Sequence, residues 1–125
     1  MARVFLDTNY FIDSIHRKPE RRIVTSLENH IVYISPLSLH IYCYIYKLKI
    51  PDRRVSAQRD TFQIVELSED IVDKSLIGPT PDFEDNVQLH SAASAECDFF
   101  LTEDKQLLKL TFFGKVQLVN NLIRD

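Results

Sequence analysis

The order of apolar runs along this chain constrains its fold more than any single residue does. Val4-Phe5-Leu6, Ile31-Val32-Tyr33-Ile34, Phe99-Phe100-Leu101-Thr102 and Val116-Gln117-Leu118-Val119 are short and rich in β-branched or aromatic side chains. Runs of this kind suit strands buried on both faces, as in a parallel sheet. Helical patterns separate them. Residues 8 to 16 read as a helix start, with Asn9 or Thr8 near the cap and Phe11, Ile12 and Ile15 on one face. Residues 20 to 29 look like another helical segment. Ser35-Pro36 supplies an N-cap followed by proline at the first helical position, opening a helix that runs to about Lys49 before Pro51. Phe62 to Leu67 reads as a short strand or extended connection. Ser68 caps a helix through Ile71, Val72 and Leu76 that stops at Gly78-Pro79, and Pro81-Asp82 opens the next, carried by Val87, Leu89, Ala92, Ala93 and Ala95. A short helix over residues 105 to 111 precedes the last strand. Strands alternating with helices predict an α/β fold, with a central parallel sheet of about four to five strands and helices on both faces.

The 125 residues suit one domain, 1–125. Hydrophobic residues at 45% and charged residues at 26% allow an ordinary globular core. Two glycines and five prolines argue against long flexible linkers. No apolar run is long enough to span a bilayer, and Asp7 comes too early for a signal peptide, so no membrane partner is expected. Cys43 and Cys97 have neither CxxC spacing nor a histidine partner arranged for zinc, and their apolar neighbours predict buried free thiols in a reducing cytoplasm. The net charge of −3 does not suggest a nucleic-acid binder, but its distribution is uneven. Lys47, Lys49, Arg53, Arg54 and Arg59 gather in one stretch, and Arg17, Lys18, Arg21 and Arg22 in another. Such clusters suit a phosphate backbone, although solvated helix faces are the plainer explanation.

The acids fall where an α/β sheet binds ligands. Asp7 directly follows the first strand, and Asp104 lies two residues past Thr102. Ligands of open parallel sheets gather beyond the carboxyl ends of the strands. With Asp82 as N-cap of its helix, Glu84 and Asp85 occupy the first turn, with Asp85 at the third helical position and able to point back toward the same edge. Each of Asp7, Asp82 and Asp104 also has a plainer explanation as a helix cap. Converging carboxylates would raise one another's pKa, and a hard cation such as Mg²⁺ or Mn²⁺ would relieve that repulsion. The chemistry that uses such a cluster is phosphoryl chemistry.

Val4-Phe5-Leu6-Asp7-Thr8-Asn9 resembles the opening motif of PIN-domain proteins, which include the VapC-type toxin ribonucleases. Asp82-Phe83-Glu84-Asp85-Asn86, the helix containing Ala92-Ala93, and Phe100-Leu101-Thr102-Glu103-Asp104 are similar to the second half of that family's pattern. The resemblance covers nearly the whole chain. It implies a PIN-like fold and a metal-dependent endoribonuclease, either the toxin half of a toxin–antitoxin pair or a related RNA-processing enzyme. Asp7, Asp85 and Asp104 would be the catalytic acids, and these with Glu84 would hold Mg²⁺ or Mn²⁺. Asn9 and Thr102 would support them, with Arg53 and Arg54 as weaker RNA contacts. The implied partners are RNA, an antitoxin protein and a second copy of the chain. Tyr42, Tyr44 and Tyr46 on the apolar helix would serve a dimer or antitoxin surface, or else simply the core.

One family position departs from the pattern. A Glu is usual six residues beyond the serine that opens the helix after the second strand. Here the serine is Ser35 and the position holds Ile41, with no acid anywhere between Glu28 and Asp52. His40 is adjacent, but a helix turns about 100° per residue, so it is expected to face elsewhere, as a core histidine. The departure leaves two possibilities: the site keeps Asp7, Asp85 and Asp104 and binds one metal, with Glu84 or Asp82 filling the gap, or the chain is a catalytically degenerate RNA-binding or regulatory protein on the same fold. A third, aspartate-based phosphotransfer, fits less well. A dehalogenase-like phosphatase wants an Asp where this chain has Asn9, and a receiver domain wants paired acids that the first strand lacks.

Overall fold

The computed structural model describes residues 1–17 and 27–122. Most of the helical segment expected over residues 20–29, with Lys18, Arg21 and Arg22, lies outside them. The chain begins with β1 (Arg3–Leu6), then α1 (Thr8–Ile12), which continues as a π-helical turn over Asp13–Arg17. After it come β2 (Ile31–Ile34), α2 (Pro36–Ile45), α3 (Arg53–Thr61) and β3 (Gln63–Ile64). The second half holds α4 (Glu69–Ser75), α5 (Phe83–Ser94), β4 (Phe99–Leu101), α6 (Lys105–Leu108), β5 (Phe112–Phe113) and β6 (Val116–Val119). The strands form one sheet in the order β3-β2-β1-β4-β6-β5, parallel throughout except for β5 against β6.

The central strand shows why the apolar runs are continuous. Successive side chains of β1 point to opposite faces. Val4 and Leu6 enter a core with Phe11, Ile12, Val32, Ile34, Tyr42, Phe62 and Leu101, under α1 and α2. Phe5 enters the opposite core with Ile71, Val87, Leu89, Ala92, Phe100, Leu107 and Leu118, under α4, α5 and α6. Its register partner on β4 is Phe100, and the two rings stack with centroids 5.5 Å apart. Val4, Phe5 and Leu6 are all fully buried. Burial of each such side chain contributes roughly 1.5–3 kcal/mol, so a polar residue here would not be tolerated.

Several local expectations need correction. The sheet has six strands, one more than the upper expectation. The addition is β5, two residues long, turned back into β6 through Gly114 at φ +60°. The helix expected over 105–111 stops at Leu108 for the same reason, since Thr111 adopts φ +57° and starts the hairpin. Asp7, rather than Thr8 or Asn9, is the N-cap of α1. Helix α2 ends at Ile45, four residues before Lys49, where the chain turns through Lys47 at φ +52°. Tyr42 of α2 is buried whereas Tyr44 is 77% exposed, so the tyrosines divide between core and surface. His40 is exposed and stacks loosely on Tyr44, and is no core residue. The basic stretch at Arg53 and Arg54 is a helix of its own, capped by Asp52, whose carboxylate accepts from the backbone N–H groups of Arg54 and Val55. Cys97 is buried, with its thiol pushed up to about 12 by burial, while Cys43 is only half-buried. No helix among the described residues is long and apolar enough to cross a membrane.

Candidate active site

Strand order reverses between β1 and β4. From β1 the chain proceeds to β2 and β3 on one side, while β4, β6 and β5 extend the other. A crevice opens at such a switch point, beyond the carboxyl ends of the two strands. Asp7 sits there directly after β1, and its backbone N–H extends the ladder by donating to Leu101 O on β4 at 3.1 Å. Its side chain is almost fully buried. Oδ1 accepts from the Tyr10 N–H at 2.7 Å, capping α1, and Oδ2 accepts from the Thr102 hydroxyl at 2.5 Å.

Thr102 binds the two strand ends together. The same Oγ1 that donates to Asp7 accepts the Asp104 N–H at 3.0 Å, so one hydroxyl fixes both acids. Asp104 then caps α6, its Oδ1 accepting from the Gln106 and Leu107 N–H groups at 2.8 and 3.3 Å. From the opposite wall, Asp82 caps α5 by accepting the Asp85 N–H at 2.9 Å. That places Glu84 and Asp85 in the first turn of α5, where the helix dipole favours negative charge.

These residues line a cleft of about 450 Å³, together with Thr8, Asn9, Tyr10, Gln88 and Glu103. Six of the lining residues are carboxylic acids (Asp7, Asp82, Glu84, Asp85, Glu103, Asp104), and none is Lys or Arg. The crowding has an electrostatic consequence. Asp7 is pushed up to about 6, first by burial, against the hydrogen bonds from Thr102 and Tyr10, and with help from the charges of Asp104 and Glu84. Asp85 is also pushed up to about 6, first by burial and then by the negative charges of Asp82, Asp104, Glu84 and Asp7.

Asp7, Asn9, Glu84, Asp85 and Asp104 thus meet in one space, and Thr102 supports it from below. Arg53 and Arg54 do not line the cleft. Arg54 is engaged with Asp52, its Nη2 lying 3.2 Å from Oδ2. Ile41 packs against the hydrophobic core and contributes nothing to the cleft. Sequence reasoning missed Gln88, which is 2% exposed, and Ser38, which is fully buried. Gln88 Oε1 accepts from the Thr8 N–H at 2.8 Å, its Nε2 donates to Glu84 Oε2 at 3.1 Å, and the Thr8 hydroxyl meets Ser38 Oγ at 3.0 Å. A neutral amide set among Val87, Leu89 and Ala92, one helical turn after Glu84, was the available signal.

The donor set suits a hard divalent cation. Every charged group is a carboxylate, and a cation would remove the repulsion that raises Asp7 and Asp85. Among the described residues, no three His, Cys, Asp or Glu side chains stand close enough together to hold a metal ion between them. Mg²⁺ commonly keeps several waters and binds through one or two carboxylates, so the residues present fit such an ion without a closed cage.

Parallel strands flanked by helices, with an acid at each carboxyl end of the switch point, are the arrangement that the resemblance to PIN domains implied. The sequence matches the PIN domain over residues 3–106, and the chain belongs to that family. No curated protein matches it. Among solved structures, it is similar to a chain from the crystal structure of VapBC2 from Rickettsia felis bound to a DNA fragment from their promoter. That similarity has a TM-score of 0.64 and 14% identity, over 94% of this chain and 97% of the other. It is also similar to a chain of FitAB bound to IR36 DNA fragment, with a TM-score of 0.63 and 16% identity over 93% of both chains. At such identities the likeness is one of fold.

Proposed function

We propose that this chain is a divalent-metal-dependent endoribonuclease that acts as the toxin half of a toxin–antitoxin pair. The observation carrying the reading is the meeting of Asp7, Glu84, Asp85 and Asp104 in one cleft at the β1/β4 switch point. These four would hold Mg²⁺ or Mn²⁺. The bound ion would lower the pKa of a water and offset charge at a scissile phosphate. The chain's own groups prepare that chemistry. Thr102 donates to Asp7 and fixes the direction of its carboxylate, while the caps of α1, α5 and α6 hold three of the acidic side chains to rigid backbone. Asn9 lines the same space and is placed to orient an acid or a water.

A cleft whose charged groups are all carboxylates repels phosphate unless a cation is present, which supports metal dependence. The antitoxin partner is supported by the neighbours in fold, which were solved as the VapBC2 and FitAB complexes. A homodimer is supported by Tyr44, Ile45 and Ile50, apolar and exposed at the end of α2 and beyond it. Arg53, exposed on α3, remains the better of the two arginines for contacting RNA, since Arg54 is paired with Asp52. The cytoplasm is the compartment proposed for this work.

One observation favours a second reading, a degenerate RNA-binding protein on the same fold: α2 brings no acid to the cleft, and its Ile41 packs against the core. One experiment separates the two. Purified protein is incubated with structured and unstructured RNA in Mg²⁺, Mn²⁺ or EDTA, beside Asp104→Asn. Asparagine caps helices as well as aspartate, so the variant keeps α6. Cleavage that needs metal and vanishes in the variant is expected. Folded wild type that leaves every RNA intact in metal would support the degenerate reading.

A further inference from the structure

Gln88 is a long polar side chain in the interior of α5, and its burial demands that both ends of the amide be satisfied. The surroundings fix which way it points. Thr8 presents a backbone N–H, which can only donate, so the carbonyl Oε1 must face it. Glu84 presents a carboxylate, which accepts, so the Nε2 amino group must face that side. Glutamine is therefore chosen for its chemistry and for its length. It reaches from α5 to the first N–H of α1 while holding Glu84, one turn earlier on its own helix, by one oxygen. The other oxygen of Glu84 is left for the cleft that Glu84 lines.

The chain of contacts continues through Thr8 to Ser38 on α2, so Glu84, Gln88, Thr8 and Ser38 join three helices around the site. On α2 this chain ends in a hydroxyl, and the next turn of that helix carries Ile41. Beside Asp85, α5 brings Glu84 to the cleft, whereas α2 brings no acid to it.

We propose that Gln88 is a positioning residue that holds Glu84 as the fourth carboxylate, so that the cleft grips its cation from α5 and not from α2. The inference rests on the metal reading of the cleft. Gln88 touches no substrate atom in this role and acts through Glu84.

Mn²⁺ binding, followed by calorimetry and by loss of the free-ion electron paramagnetic resonance signal, tests this without reference to cleavage. Four proteins are compared: wild type, Glu84→Gln, Gln88→Met and the double variant. Methionine is nearly the same length and apolar, so Gln88→Met removes both hydrogen bonds at little cost in volume. Glu84→Gln and Gln88→Met are each expected to weaken Mn²⁺ binding about 10-fold or more. The double variant is expected to be no weaker than Glu84→Gln alone, because Gln88 acts only through that carboxylate. A role confined to folding would add its loss in both backgrounds. Should Gln88→Met fail to fold, Gln88→Asn, polar but one methylene too short to span both partners, takes its place. Wild-type affinity in the Gln88 variant, or losses that add, would overturn the proposal and leave the metal reading standing. Wild type that takes up no Mn²⁺ would overturn both.

Discussion

Asp7 shows how one carboxylate serves structure and chemistry together. It ends β1, caps α1, receives the Thr102 hydroxyl and faces five other acids. Its pKa rises from 3.8 to about 6, mainly through burial. The folded protein therefore holds this proton more tightly than the unfolded chain does. Stability from this group is fully present below about 3.8 and is lost as pH rises through about 6. The rise corresponds to roughly 3 kcal/mol of stability missing at neutral pH in the absence of metal. Asp7→Asn keeps an acceptor for Tyr10 and removes the charge. In EDTA at pH 7.5 the variant is expected to be about 1–3 kcal/mol more stable than wild type by urea unfolding, with most of that gain gone by pH 4.5. A variant less stable at both pH values would show that the carboxylate's hydrogen bonds outweigh its burial. At this scale the sequence was only partly legible. Capping and cation binding look like rival explanations of an acid beside a strand, yet Asp7 and Asp104 cap and line the cleft at once. Gln88 escaped because its partner Thr8 lies 80 positions away, and only the folded sheet brings them together.

Helix α5 carries two of the acids, and its entry is built by a neighbour that is not acidic. Asn86, buried, receives the Thr80 N–H and hydroxyl on Oδ1 at 2.9 and 2.7 Å. Its Nδ2 donates to Ser75 O and Thr80 O at 2.9 and 2.8 Å. Four bonds thus tie the end of α4 and the following loop to the first turn of α5, where Asp82, Glu84 and Asp85 stand. Asn86→Ala leaves buried backbone groups without partners, which costs about 2–4 kcal/mol. Urea unfolding is expected to show that loss, and hydrogen exchange to show faster opening at the Thr80 amide. A change within about 0.5 kcal/mol would mean that water replaces the side chain. Elements were legible in proportion to their length and periodicity. The strands at Val4, Ile31 and Phe99 carry uninterrupted apolar runs and that at Val116 is broken only by Gln117, whereas β5 is two residues and α3 is an exposed helix with no apolar stripe. The early end of α2 depends on Lys47 adopting positive φ, which no residue type there announces.

Across the whole molecule, the order β3-β2-β1-β4-β6-β5 brings Asp7 and Asp104, almost a hundred residues apart, to one switch point, with α5 closing the space from the other layer. The alternation of strands and helices announced that architecture, and with it the edge where acids would matter. The sheet's stability and the cleft's affinity are consequently linked. Any cation that binds the folded cleft and not the unfolded chain stabilises the fold by an amount set by its concentration over Kd, about 2.7 kcal/mol at a hundredfold excess. Protons compete for the same oxygens. As pH falls through about 6, Asp7 and Asp85 take up protons and their share of the attraction for the cation is lost. Saturating Mn²⁺ is therefore expected to raise Tm at pH 7.5 by several degrees and to raise it far less at pH 5. Differential scanning calorimetry at constant free Mn²⁺ makes the comparison, with Ca²⁺ as a control for general screening and Asp7→Asn as a control for the site. Equal shifts at both pH values, or shifts of the same size in Asp7→Asn, would place the ion elsewhere on this acidic protein. A shift confined to neutral pH and abolished by Asp7→Asn would tie the cation, the buried carboxylate and the fold into one equilibrium.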